Sequence, residues 1–183
     1  MKIPVIRGLI ERRILANYRL DADVARAVLP SPFRPKLVEG RAIAGICLIR
    51  LAEVRPRGLP AALGIRSENC AHRFAVEWDT PAGVREGVYI PRRDTSSRLN
   101  AFVGGRLFPG VHSHAEFDVH ETDRALSVAL ASDDGATRIA VEGDVATELA
   151  TGSIFGTLER ASRFFEGGSL GYSVTREAGV YDG

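Results

Sequence analysis

His112 and His114 stand one residue apart, and a His-x-His pair on a strand turns both rings to the same side. Such a pair supplies a base and an acid, or two ligands to a metal. In a second segment Glu68, Cys70, His72, Phe74 and Val76 occupy alternate positions, so a strand there brings Glu68 and His72 to one face as a paired acid and base. Arg106 follows Gly104 and Gly105, whose missing side chains permit close approach, and its guanidinium suits a ligand carboxylate.

Each of these residues also has a plainer reading. From Ser113 onward Ala115, Phe117 and Val119 share one face and His114, Glu116, Asp118 and His120 the other, so an apolar core on the first face leaves the histidines on the surface. Glu68 equally serves to neutralise a neighbouring arginine. Arg92, Arg93, Asp94 and Arg98 around Thr95-Ser96-Ser97 form a polar turn, solvated or, at the mouth of a barrel, anion-binding. His72 joined to His112 and His114 makes a histidine metal set, but no second histidine motif completes it, and the chain is read without metal or cofactor. A Gly-x-Ser-x-Gly elbow is missing around Ser96 and Ser97, and GGRLFPG lacks phosphate-loop spacing.

The elements that must position these residues read as mainly β. The 183 residues, 45% hydrophobic and 26% charged, suit one domain over 1–183 with a sizeable core. RILANYRL, Arg13 to Leu20, alternates as a strand; Asp21 caps a short helix over Ala22 to Leu29, and the prolines at 30, 32 and 35 exclude helix beyond it. Glu39-Gly40 makes a hairpin turn into a buried strand, Arg41 to Leu51, and further strands cover Cys70 to Trp78 and Val84 to Pro91. Ser113 onward, Leu126 to Ala131 and Thr137 to Val145 read as antiparallel hairpins. LERASRFFE, after Gly156-Thr157, forms a second short helix whose Leu158, Ala161, Phe164 and Phe165 make an apolar stripe, a lid or plug on the sheet, stopped by Gly167. The whole is a curved antiparallel sheet or barrel with two short helices, and the Asp182-Gly183 turn with no strand after it reads as a shortened carboxyl end.

A net charge of +1, from 24 basic and 23 acidic residues spread along the chain, offers no basic stripe for nucleic acid. The apolar run from Ala42 to Ile49 is too short to span a membrane, and the opening MKIPVIRGLI is too interrupted for a signal peptide. A cytoplasmic protein with two buried, reduced thiols at Cys47 and Cys70 follows. A homo-oligomer is left open.

ILANYRLDADVARAVLPSPFRP, LGIRSENCAHRFAVEW, REGVYIPRRDTSSRLNAFVGGRLFPGVHSHA and SIFGTLERASRFFEGGSLGY, in that order, resemble the acetoacetate decarboxylase-like superfamily and, in wording, its YqjF-like branch of uncharacterised bacterial proteins. The resemblance implies that family's β-rich fold and a pocket for a small organic acid or carbonyl compound. It sets Glu68, shortly after Leu63-Gly64, where the decarboxylase has a strand-start glutamate, and it offers Arg12 or Arg13 for an arginine that ungapped counting puts on Glu11. A second family glutamate falls among Ala44 to Leu48 and has no counterpart. Counting from Gly105-Arg106 sets His114 where the decarboxylase has its reactive lysine, and the chain has only Lys2 and Lys36. The resemblance therefore implies a pocket without Schiff-base decarboxylation, with Glu68, His112 and His114 for proton transfer and Arg106, Arg12 and His72 for the ligand. A non-catalytic binding or regulatory domain is the alternative, and a purely structural role for these side chains a third.

Overall fold

The computed structural model describes residues 5–104, 110–167, 170–174 and 181–182. It begins with a long strand, β1 (Ile6–Asp21), followed by helix α1 (Ala22–Val28). The Asp21 side chain accepts the Asp23 N–H at 2.9 Å, the N-cap expected from sequence, and Leu29, ahead of Pro30, is already extended. Two short strands, β2 (Arg34–Pro35) and β3 (Leu37–Val38), lead into β4 (Arg41–Pro56). Glu39 and Gly40 both have positive φ, 48° and 77°, as a two-residue hairpin turn between Val38 and Arg41 requires. β5 (Ile65–Thr80) and β6 (Gly83–Thr95) form the next hairpin. These strands outrun their apolar sequence signals because backbone pairing continues past them, from Asp21 opposite Arg41 to Ile6 opposite Pro56.

Beyond β6 lies a helix that strand periodicity did not indicate, α2 (Arg98–Val103), capped by Ser97, whose hydroxyl accepts the Asn100 N–H at 3.2 Å. At six residues it is too short to display a helical repeat. It carries the chain over to β7 (His112–Glu121), which joins β6 in parallel before β8 (Ala125–Ser132) and β9 (Arg138–Asp144) return to antiparallel pairing. Helix α3 (Leu158–Gly167) and strands β10 (Gly171–Val174) and β11 (Tyr181–Asp182) complete the described elements, with β10 parallel to β6.

The main sheet runs β1-β4-β5-β6-β7-β8-β9. It is curved and rich in antiparallel pairs, but among the described residues β1 pairs only with β4 and β9 only with β8, so the sheet does not close into a barrel. Instead it folds over itself. Ile14, Ala16, Ile46, Leu48 and Cys70 from one half pack against Ala115, Phe117, Val128, Leu130 and Ile139 from the other. Leu48 is fully buried, a contribution of about 2 kcal/mol from its side chain alone. Phe33, Val76, Trp78, Tyr89 and Tyr172 build an aromatic cluster beside it. The opposite face of the central strands carries Cys47, Ala71 and Ile90, flanked by Leu15, Ile49 and Val88. Helix α3 meets that face through Phe164 and Phe165, as a plug would, while Leu158 of its expected apolar stripe is exposed. No helix among the described residues is long and apolar enough to cross a membrane.

Candidate functional site

Alternation along the paired strands sorts the polar residues onto two faces. Leu48 and Cys70 belong to the packed core, and the side chains two residues along the same strands share their face: Arg50 beside Leu48, and Glu68 and His72 beside Cys70. Arg12, two residues before Ile14, and Glu121, two after Val119, lie on this core face as well. At its edge Glu68 accepts from Arg12 at 2.5 Å and also from Arg50, while Glu121 accepts from Arg12 and from Arg50, the latter at 2.6 Å. Two arginines and two carboxylates from β1, β4, β5 and β7 thus close a four-member ring of ion pairs. Burial would raise the Glu121 carboxyl, but the arginine hydrogen bonds outweigh it and hold it below the usual carboxylate range.

Farther along the same face Asp94 is fully buried. It meets His72 Nε2 at 3.0 Å and takes the Arg92 guanidinium at 2.7 Å, and Arg92 also reaches Asp134 at 2.9 Å. Burial pulls the Asp94 carboxyl up, but His72 and Arg92 together carry it below the ordinary value. Burial, with Asp94 close by, pushes the neighbouring Cys70 thiol up to about 12.

The reverse face, beneath α3, has a different balance. One row of paired residues runs Leu15, Cys47, Ala71, Arg93 and His112 across β1, β4, β5, β6 and β7. Beside it stand Asn17 and Arg73 on one flank, and Arg13, Ile49, Asn69, Thr95 and His114 on the other. Arg73 donates to Asn17 Oδ1 at 2.9 Å with its guanidinium 5.4 Å from the centre of the Phe165 ring; Arg93 donates to Ser173 Oγ at 2.8 and 3.0 Å. Among the described residues neither these two arginines nor Arg13 forms an ion pair with a carboxylate, in contrast to Arg12, Arg50 and Arg92. Burial lowers Arg73 and Arg93 from the ordinary arginine value, and the nearby Arg13 lowers Arg73 further. Since a guanidinium does not give up its proton in a protein, that burial is a cost which a bound anion would offset.

His112 faces this region half-buried. Its Nδ1 lies 3.0 Å from the Gly110 carbonyl, which can only accept, so the ring carries its proton on Nδ1 and keeps the Nε2 lone pair. Burial first and Arg93 second lower its pKa below the usual histidine value. Gly104 packs so closely that a Cβ there would lie 2.5 Å from His112 Nδ1, which explains one of the two glycines ahead of Arg106. His114 holds Asp133 at 2.8 Å and is also half-buried, so neither histidine is a plain surface residue. A narrow recess between α3 and the sheet, lined by Asn17, Lys36, Ile43, Arg73, Phe164 and Phe165, retains about 10 Å³.

The residues singled out from sequence are therefore divided. Arg12, Glu68 and His72 lie on the core face, His112 and His114 on the α3 face, and Arg106 falls outside the described residues. His72 accordingly cannot share a metal with His112 and His114. Sequence reasoning missed Arg73 altogether and read Arg93 only as part of a polar turn. The available signal was an arginine at the middle of a small, apolar alternation, Ala71, Arg73 and Ala75.

Residues 10–177 match the model of the DUF2071 family, described as an uncharacterized conserved protein. Comparison with curated proteins gave no match. Among solved structures, acetoacetate decarboxylase from Legionella pneumophila superposes with a TM-score of 0.59 at 16% identity, over 93% of this chain and 58% of that one. An acetoacetate decarboxylase-like enzyme from Sphingomonas wittichii RW1 gives 0.55 at 13%, over 79% and 58%. The enduracididine biosynthesis enzyme MppR, complexed with pyruvate, gives 0.54 at 14%, over 80% and 58%. These likenesses concern the fold, and the chain spans less than three fifths of each of those proteins.

Proposed function

The chain belongs to the DUF2071 family and has an acetoacetate decarboxylase-like fold, and from that premise we propose that its α3 face binds a small carboxylate bearing a carbonyl group. The observation that carries this reading is the pair of half-buried arginines, Arg73 and Arg93, which no carboxylate neutralises among the described residues. Each presents a fork of donors that matches a carboxylate. The MppR complex with pyruvate adds support, since a keto acid is the ligand there on a related fold.

His112 supplies the proton transfer. Neutral, with its proton held on Nδ1 by Gly110, it offers Nε2 as a base toward the carbon beside the carbonyl of an acid gripped by Arg93. Schiff-base chemistry is not part of the proposal: Lys36 Nζ is engaged by Glu86 and sits 4.6 Å over the Phe164 ring, and resemblance sets His114 where the reactive lysine would stand. Glu68, tied to two arginines, contributes to architecture rather than to the reaction. The two free, buried cysteines support a reducing, cytoplasmic setting.

Calorimetric titration with pyruvate and acetoacetate tests the binding, with Arg73→Met and Arg93→Met as variants. Loss of one charge-assisted pair lowers affinity by about 10- to 100-fold, corresponding to about 1.5–3 kcal/mol. Unchanged affinity in both variants would sink the site. Exchange of the pyruvate methyl protons into deuterated water, followed by NMR, reads the chemistry: exchange lost in His112→Gln makes the protein an enzyme, and binding without exchange makes it a ligand-binding domain.

A further inference from the structure

On the core face, away from the arginines beneath α3, the side-chain donor atoms of Cys70, His72 and Asp94 all lie within 4.8 Å of one another. Their types are a thiol, an imidazole and a carboxylate, the mixture that borderline-soft divalent metals accept, and three protein ligands leave a fourth position open. Cys70 and Asp94 are essentially inaccessible, at 1% and 0% exposure, whereas the His72 side chain retains 26% and marks the route of entry. Charge points the same way. A single guanidinium, Arg92, serves two carboxylates, Asp94 at 2.7 Å and Asp134 at 2.9 Å. The Arg92 bonds to Asp94 fall mainly on Oδ1, at 2.7 and 2.9 Å, with one longer contact to Oδ2 at 3.1 Å; the remaining Oδ2 partner is His72 Nε2 at 3.0 Å.

We propose that Cys70 Sγ, His72 Nε2 and Asp94 Oδ2 form a binding site for a thiophilic divalent cation of the zinc type. The cation takes the place of the proton between His72 and Asp94, which moves to Nδ1 of the same ring and leaves the imidazole neutral. At Cys70 the S–H bond breaks, the sulfur electron pair goes to the metal, and the proton leaves to solvent. A metal deprotonates a coordinating thiol outright, so the raised pKa of this buried group is no barrier in kind. The cluster gains one net positive charge, where two carboxylates now share one arginine.

The test uses the full chain stripped of metal by chelator and titrated with Co2+, whose thiolate complexes absorb in the near ultraviolet. One Co2+ per chain, a thiolate band and displacement by Zn2+ are expected. Cys70→Ser should abolish the band and weaken retention by about 100-fold, and His72→Ala, at a half-buried position, by about 10- to 100-fold. Cys47→Ser, on the opposite face, should leave the band intact. Circular dichroism shows whether each variant is folded. A folded wild-type chain that shows no thiolate band and retains no Zn2+ on gel filtration overturns the proposal, and so does a band that follows Cys47 instead of Cys70. Because the anion site lies on the reverse face, neither result bears on pyruvate binding.

Discussion

The half-buried arginines on the two faces of the sheet differ: among the described residues Arg12, Arg50 and Arg92 on the core face have carboxylate partners, whereas Arg73 and Arg93 on the reverse face have none. On the core face Arg12 and Arg50 alternate with Glu68 and Glu121, and Arg92 lies between Asp94 and Asp134. On the reverse face, Arg73 beneath α3 has amide and ring partners instead, and Arg93 against β10 has a hydroxyl. Internal compensation makes a charge part of the architecture, since it joins strands at a stability cost only when broken. A desolvated charge without compensation is one whose partner comes from outside. Among the arginines, those with carboxylate partners are thus the weaker candidates for binding an anion.

The largest effect should come from breaking the compensated side. Glu68→Ala leaves Arg12 and Arg50 sharing one carboxylate in a half-buried setting, and should cost about 3 kcal/mol in urea unfolding. Arg93→Met, on the other side, should change stability by under about 1 kcal/mol while lowering ligand affinity by about 10- to 100-fold. A loss from Arg93→Met as great as that from Glu68→Ala would erase the distinction.

Acid sharpens it next. Glu121 and Asp94 have carboxyl pKa values below the ordinary range in the folded chain, so protons bind the unfolded state first. The stability they contribute is present above the unfolded value of about 4 and is lost as pH falls through the lower, folded values. Glu121→Gln should flatten that acid slope, which denaturant melts at successive pH values would measure. His112 has the same sign for a different reason. Its charged form is disfavoured on folding by burial and Arg93, so its contribution holds above about pH 6.5 and declines below. NMR titration should place its midpoint below that value, and Arg93→Met should shift it upward. The smallest change is expected from Arg13→Ala at an exposed position, under about 0.5 kcal/mol in stability. An affinity loss there as large as that from Arg93→Met would extend the site to the flank of the sheet.

Local features were legible in the sequence wherever neighbours along the chain decide them. Asp21 caps α1, Glu39-Gly40 turns the hairpin, and Ala115 is buried with Phe117 and Val119 packed beside it, as alternation required. The shared face of Glu68, Cys70 and His72 was equally readable. What alternation could not supply was which face of one strand adjoins which face of another. β7 enters beside β6 in parallel after α2, and this crossover sets His112 beside Arg93 rather than beside Glu68. Sheet closure was undecidable for the same reason, because it depends on whether the first and last strands meet.

The sequence by itself determined the strands of the main sheet in outline, the turn at Glu39-Gly40, the mainly β class, the scarcity of lysine and the family resemblance, since these rest on residue type, short-range sterics and period. Only the tertiary structure decided which charges are compensated. Arg12 finds Glu121 at a separation of 109 residues, and Arg93 finds Ser173 at 80. Electrostatic partnership acts through space and is strengthened by burial, and neither the distance nor the burial is encoded in the spacing of residues along the chain.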